Sequence, residues 1–339
     1  MENKKVLYVT TKNIDYIRNV QNIKMLKEEY SDVEVLYSKR KNYYLRIIEV
    51  NLKMMFKNKT KYDIFFIGFL PQLIFSFLYK KKRKDQIFII DFIISLYNTL
   101  VFDRKKVSSN SIIAKLLKKI DTKIASKADV VVTDTKTQAK YFAKEFNIDS
   151  SKFKVIYLSA NTKIYNKEAG KLDLKENGEF IVLWFGSILP LQGVDVILKS
   201  AKLLEKNDKI RFYIIGNIKN LKINKNDYTN INFISWTPDE ILAKYINSAD
   251  LCLAGHFSNE IERANREISG KAFTYKAMEK KIILGKSEAN QEIFKENNED
   301  IFYVERGNPE DLAKKIEEIY KNKNNISNNC LQIKNNVIE

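Results

Sequence analysis

Two stretches of this sequence combine glycines, cations and a helix start in a way that suits a phosphate-bearing ligand. In FGSILPLQGVDVILKSAKLL, which begins at Phe185, Gly186 and Gly193 bracket a loop, Gln192 precedes the second glycine, and a helix is predicted to begin near Val194. Glycines let backbone N–H groups approach a ligand closely and a helix amino terminus favours negative charge, so a diphosphate suits this loop. The pattern is of low specificity, because any strand-turn-helix can carry two glycines. In CLAGHFSNEIERANREISGKAFTYKAMEKKIILG, from Cys252, a strand ends at Ala254 and a loop carries Gly255, His256 and Phe257. Arg266 and Lys271 then flank a helix start at Ser269-Gly270. Two cations and a helix dipole converging on one anion fit a leaving diphosphate. Taken singly, Arg266 fits a salt bridge with Glu262 or Glu267, and Lys271 a solvated first-turn lysine.

Several other chemistries are short of residues. His256 is the only histidine, so a histidine acid/base dyad cannot be built in the first half, nor a histidine-rich metal site anywhere. Neither a P-loop nor GxGxxG follows the first strand, VLYVTTK from Val6. The two cysteines, Cys252 in an apolar run and Cys330 in an Asn-rich tail, suggest neither a disulfide framework nor a metal cluster. No metal ligand is predicted.

The elements that must position these residues alternate along the whole chain. Short β-branched runs and amphipathic helical stretches succeed one another, which is the pattern of parallel sheets covered on both faces. Residues 1–165 read as one Rossmann-like domain. The polar stretch KIYNKEAGKLDLKENG (163–178) reads as a connection, residues 178–320 as a second and smaller Rossmann-like domain, and residues 321–339 as a loose tail. The longest apolar run, Ile64 to Tyr79, contains Gly68, Pro71 and Gln72, falls short of the ~20 residues of a membrane span, and reads as strand, turn and helix. The amino terminus leads straight into a strand pattern with no leader-like segment, which implies the cytoplasm.

Several segments resemble glycosyltransferase family 4, the retaining GT-B enzymes. They are the strand, glycine loop and helix of FGSILPLQGVDVILKSAKLL, the strand ending YIIG at Gly216, SWTPDEILAKYINSADLCL from Ser235, and GKAFTYKAMEKKIILG. FIIDFIISLYNTLVFDR (88–104) and ADVVVTDTKTQAKYF (128–142) resemble a bacterial subgroup of that family. The resemblance implies an α/β GT-B fold, two doubly wound parallel-sheet domains facing a central cleft, with the first receiving the acceptor and the second the donor. It further implies sugar transfer from a nucleoside-diphosphate sugar with retention of configuration, no cofactor beyond that donor substrate, and no essential metal. Arg266 and Lys271, helped by the backbone at Gly186 and the helix start at Gly270, would stabilise the departing diphosphate. Gln192, Gly193, Gly216, Trp236, Thr237, His256 and Thr274 are the other expected donor contacts, although Trp236 fits a core position equally well. The family's usual glutamate pair falls on Arg266 and Thr274, and Gln192 stands where a lysine is usual. Across the cleft, Asp91, Ser95, Tyr97, Asp103 and Arg104 are candidate acceptor contacts, with Asp91 counted beside Arg266 and Lys271 as a catalytic candidate. Asp91 interrupts an apolar run and needs a cleft or a partner, for which Arg104 is the alternative.

Charge separates the two halves. Residues 1–170 hold 34 Lys+Arg and 17 Asp+Glu, so the whole net charge of +17 lies there. A one-sided basic field fits an anionic partner, and it also fits a solvated Lys-rich surface. Residues 39–61 mix cations with Tyr, Leu, Ile, Met and Phe, and Lys80 to Lys84 add a second cluster. Such a helix suits either an anionic membrane interface or a core-facing position with a basic edge. The resulting expectation is a peripheral inner-membrane enzyme that adds sugar to a glycan or lipid-linked acceptor of a bacterial surface polysaccharide. A GT-B sugar-nucleotide epimerase and a basic nucleic-acid-binding protein are the competing classes. The first lacks acid/base groups and the second lacks any known motif, so nucleic acid is not expected as a partner.

Overall fold

A computed structural model of the chain describes residues 2–74, 83–217, 221, 223–297 and 299–336. It divides into two compact units, Met1–Ser159 and Ala160–Glu339.

The first unit runs β1 (Glu2–Val9), α1 (Ile17–Glu29), β2 (Tyr30–Leu36), α2 (Tyr43–Phe56), β3 (Ile64–Ile67), β4 (Ile87–Asp91), α3 (Leu96–Asn98), α4 (Ile112–Lys127), β5 (Val130–Thr133), α5 (Lys136–Phe146) and β6 (Phe153–Val155). All strand pairs are parallel, in the order β2-β1-β3-β4-β5-β6. The central strands are apolar on both faces because helices cover both. Leu7, Phe65 and Phe88 meet Val50 and Met54 of α2, Ile124 of α4 and Phe142 of α5 on one side. Val6, Tyr8 and Phe66 meet Leu26 of α1 on the other. Side-chain caps from Asn42, Ser111 and Thr135 satisfy amide groups at the amino ends of α2, α4 and α5. Chain direction reverses between β1 and β3, the topological switch point where ligands of open sheets gather beyond the strand carboxyl ends.

The run predicted as strand, turn and helix forms β3 and a single turn at Pro71–Leu73. Its remainder, and Lys80 to Lys82 of the second basic cluster, lie outside the described residues.

The second unit runs β7 (Phe180–Phe185), α6 (Val194–Leu203), β8 (Ile210–Ile215), β9 (Ile231–Ile234), α7 (Asp239–Ser248), β10 (Leu251–Gly255), α8 (Arg263–Arg266), α9 (Gly270–Ala277), β11 (Lys281–Gly285), α10 (Glu288–Ile293), β12 (Ile301–Val304) and α11 (Pro309–Asn336). Its sheet, also parallel, has the order β12-β11-β10-β7-β8-β9, with its switch point between β7 and β10. The polar connection has no strand or helix, yet it is tied to this unit. Leu172 N–H donates to Ser248 Oγ at 2.7 Å, Asn247 Nδ2 to Gly170 O at 3.0 Å, and Lys175 pairs with Asp250 at 2.8 Å. The second unit is therefore the longer one, where the sequence suggested the smaller. Nor does the chain loosen at Lys321, because α11 continues through it.

Asp91, at the carboxyl end of β4, pairs with Arg18 of α1 and not with Arg104. Its carboxylate accepts from Arg18 Nε and Nη2 at 3.0 and 2.9 Å and from Asn22 Nδ2 at 3.0 Å. The arginine and aspartate side chains are 1% and 0% exposed. This is an internal tie between a helix and the sheet. Removing one member of such a pair leaves a buried charge uncompensated, so Asp91→Ala should destabilise the protein by about 3–5 kcal/mol in urea unfolding. Replacing both members with apolar residues should cost much less.

Candidate functional site

The carboxyl ends of β7 and β8 come together closely. Gly186 N–H donates to Ile215 O and Gly216 N–H to Ile234 O, each at 2.9 Å, so the chain continues the sheet pattern one residue past each strand. Both glycines then turn at φ values of 140° and 154°, which residues with a Cβ rarely adopt. A Cβ on Gly216 would lie 2.2 Å from Gly186 O. The sequence expectation of Gly186 as an N–H donor to a ligand is corrected here, since its N–H is held by Ile215. What Gly186 contributes is room.

That room opens into a cavity of about 470 Å³, of the size class of small-molecule sites, with Gly186, Gly216, Trp236 and Thr237 among its lining residues. Trp236 is 76% exposed, which removes the core alternative for it. Tyr165 and Asp239 also line the cavity and were not singled out in the sequence. Burial, followed by the charge of Asp239, raises the Tyr165 phenol well above its ordinary range. Tyr165 belongs to the irregular connection, where no periodic pattern marks a residue as inward-facing.

Lys271 sits beside this cavity, on the second residue of α9. Its Nζ donates to Gln192 Oε1 at 2.5 Å and lies 5.2 Å from the centroid of the buried Trp184 ring. A Cβ on Gly186 would be 3.6 Å from the same nitrogen. Burial lowers its pKa to about 7, with no carboxylate offsetting that effect. The solvated-lysine alternative is thereby overturned. Lys271 is a buried cation whose near neighbours are an amide oxygen and an indole face, and α9 carries no acidic residue in its first turn. The amino end of α6, by contrast, already holds Asp195. Of the two helix starts flagged in the sequence, that of α9 is the better placed for an anion.

The glycine loop and the histidine loop are locked together. Gly193, at φ 64°, lies so close that a Cβ there would meet Ser258 N at 2.5 Å, while Phe257 N–H donates to Gln192 O at 3.2 Å. His256 is buried with Nδ1 lacking a hydrogen-bond partner. Its burial and the charges of Lys271, Arg263 and Arg306 push its pKa down to about 3, so it is neutral at physiological pH.

Gly186, Gln192 and Lys271 are thus in mutual contact range, with Gly193 and His256 behind them and Gly216, Trp236 and Thr237 around the cavity. Arg266 is buried on α8, which packs against the Pro190–Gln192 turn, while Glu267 accepts from Arg263. Gly270 begins α9, and Thr274 Oγ1 donates to Gly270 O at 3.3 Å within that helix. Asp91 belongs to the other unit, as does Ser95, whose hydroxyl donates to Asp121 at 2.7 Å. Among the described residues, no group of His, Cys, Asp and Glu side chains could hold a metal ion.

A sequence model of the family described as glycosyl transferases group 1 matches residues 179–322. No curated protein matches the sequence. Among solved structures, HepE of Anabaena in complex with UDP is similar at a TM-score of 0.65 and 13% identity, over 94% of this chain and 90% of that one. Sucrose-phosphate synthase of Thermosynechococcus elongatus has a TM-score of 0.65 at 11% identity over 94% and 90%. A glycosyltransferase of Rickettsia africae has 0.59 at 17% over 94% and 89%. At these identities the likeness is one of fold, and that fold is GT-B.

Gly216→Ala should destabilise the second unit by roughly 1–3 kcal/mol, because the strained φ and the contact with Gly186 O act together. Thermal melts of the purified variant would show the loss.

Proposed function

We infer that this chain, whose residues 179–322 match the model of the glycosyl transferases group 1 family, is a glycosyltransferase that draws on a nucleotide-sugar donor. The buried, uncompensated Lys271 beside the cavity of the second unit is the observation that carries the site assignment. In our reading the donor diphosphate lies against Lys271 and the amino end of α9, with Arg266 as the second cation. The nucleoside occupies the cavity, where the exposed Trp236 offers a stacking face. As the glycosidic bond breaks, negative charge grows on the departing diphosphate. A preorganised ammonium out of water stabilises that charge more than it stabilises the ground state. Transfer proceeds with retention of anomeric configuration and without a metal. A neutral, buried His256 is poorly suited to acid/base work, which favours transfer over the epimerase alternative.

The acceptor is a glycan or lipid-linked intermediate of a bacterial surface polysaccharide, and the enzyme works at the cytoplasmic face of the inner membrane. Support for the membrane comes from α2. Tyr44, Leu45, Ile48, Leu52, Met55 and Phe56 are all exposed and, at 100° per residue, share an arc of about 120°. Val50 and Met54 occupy the opposite, buried side. Ile112, Ile113 and Leu116 are likewise exposed at the start of α4, which packs on the same face of the sheet. Lys39, Arg40, Lys41, Lys53 and Lys57 flank the α2 stripe, and although Arg40 and Lys53 pair with Glu49 and Lys57 with Glu34, these five cations outnumber the two carboxylates. Such a surface complements anionic lipid, whereas a second copy of it would oppose like charges. No helix among the described residues is long and apolar enough to cross a membrane.

Lys271→Met should lower kcat by ~10²–10³-fold if the ammonium acts on the leaving diphosphate, with little loss of folding stability. Because the free lysine titrates near pH 7 and a bound diphosphate favours its charged form, UDP affinity should fall as pH rises above 7. Calorimetry at pH 8 in buffers of different ionisation enthalpy should show proton uptake on UDP binding that Lys271→Met abolishes. Equal uptake by the two proteins would remove Lys271 from the site.

Co-sedimentation with phosphatidylglycerol-containing vesicles should be salt-sensitive and should weaken at least ~tenfold in Leu52→Glu/Phe56→Glu. Undiminished binding would place the membrane surface elsewhere.

A further inference from the structure

The inner side of α2 carries a second cluster, at the carboxyl end of β1 and therefore at the switch point of the first sheet. Arg46 is 7% exposed, and its Nε and Nη1 have no hydrogen-bond partner. The hydroxyls of Thr11 and Tyr43 are also buried, and apart from their contact with each other neither is hydrogen-bonded among the described residues. Arg46 lies over the Tyr43 ring, with Cζ 5.5 Å from its centroid. Lys12 Nζ stands 4.9 Å from the Phe69 ring centroid and 5.4 Å from that of Tyr16. Burial first, and the Arg46 charge second, hold the Lys12 ammonium below the ordinary lysine range. No described carboxylate forms an ion pair with either cation.

A folded protein rarely leaves a buried guanidinium without hydrogen bonds beside a second, half-buried cation. Burying a guanidinium is costly unless its N–H groups are paired, and two like charges nearby add repulsion. A dianionic oxygen-rich group removes both penalties at once, because arginine and lysine donate charge-assisted hydrogen bonds to oxyanions and hydroxyls complete the shell. α2 adds to this, having no acidic residue in its first turn.

We propose that Thr11, Lys12, Tyr43 and Arg46 form a binding site for a phosphate ester in the first unit. Its ligand is a phosphate carried by the acceptor. The inference rests on the transferase reading only in calling that ligand an acceptor; the anion site itself stands on the first unit alone. The helix that turns Arg46 inward also turns its apolar stripe outward, so a phosphate at the head of a lipid chain and a soluble phosphate share the chemistry the site offers.

The full-length chain would be titrated calorimetrically in phosphate-free buffer with inorganic phosphate and, separately, with farnesyl phosphate. Wild type should bind at least one of these probes, and Arg46→Met should weaken that binding at least ~tenfold. The same comparison is made in the Lys271→Met background, which removes phosphate taken up at the anion site of the second unit, and Arg46→Met should weaken binding there equally. Tighter binding of farnesyl phosphate identifies the lipid-linked source, and comparable binding of the two identifies a soluble one; either supports the site. Arg46→Met should also melt no lower than wild type without phosphate, because it removes a charge that no described carboxylate answers, and phosphate should raise the melting temperature of Lys271→Met but not that of Lys271→Met/Arg46→Met. Should Arg46→Met fold poorly, Lys12→Met serves in its place, with the same loss of binding expected. Undiminished affinity in the folded Arg46 or Lys12 variants in the Lys271→Met background, or no binding of either probe, would overturn the proposal.

Discussion

An ammonium held out of water with only an amide oxygen and an indole face beside it is the constraint around which the second unit is arranged. The fall of the Lys271 pKa from 10.5 to about 7 corresponds to roughly 5 kcal/mol against the charged form. The amide oxygen and the indole face offset part of that cost, and no described carboxylate removes it. Gly186 is glycine because its φ of 140° is one that a residue with a Cβ rarely adopts, Gln192 has to reach from the glycine loop, and Gly193 has to turn left-handed so that this loop can press on Phe257 and Ser258. An anion of the right shape relieves the cost, which makes the site a receptor for charge that develops during a reaction.

Burial alone does not separate structural charges from functional ones; compensation does. Arg18 and Asp91 are as dry as any side chains in the molecule, but each answers the other and Asn22 adds a further hydrogen bond. They tie a helix to a sheet. Lys271 in the second unit and Arg46 with Lys12 in the first are buried or half-buried without a carboxylate. All three lie where the strand order reverses in their own sheet, the position at which backbone and side chains from neighbouring loops diverge and leave room for a ligand.

Much of the fold was legible because parallel sheets leave a strong imprint. Runs such as FIVLWF and IFFI are apolar throughout, since helices cover both faces, and the caps at Asn42, Ser111 and Thr135 stand one residue before the helices they open. Less of the site was readable. Gly186, Gly216 and Lys271 were found because glycine at a strand end and lysine at a helix start carry local meaning. Tyr165 and Asp239 went unnoticed because an irregular segment has no period to interrupt. Arg46 was read as one cation among many on a basic helix.

The sequence by itself determined the alternation of strands and helices, the confinement of positive charge to the first half and the positions at which only glycine fits. Those features follow from short-range sterics and from periodicity, which a linear chain records. Tertiary structure alone decided which charges are answered: that Asp91 takes Arg18 instead of Arg104, that Lys271 meets Gln192 and Trp184, and that Arg46 turns inward while Phe56, ten residues further along the same segment, faces out. Desolvation and Coulomb energy depend on distance in space, and residues 73 or 79 positions apart acquire that distance only when the sheet brings their loops together.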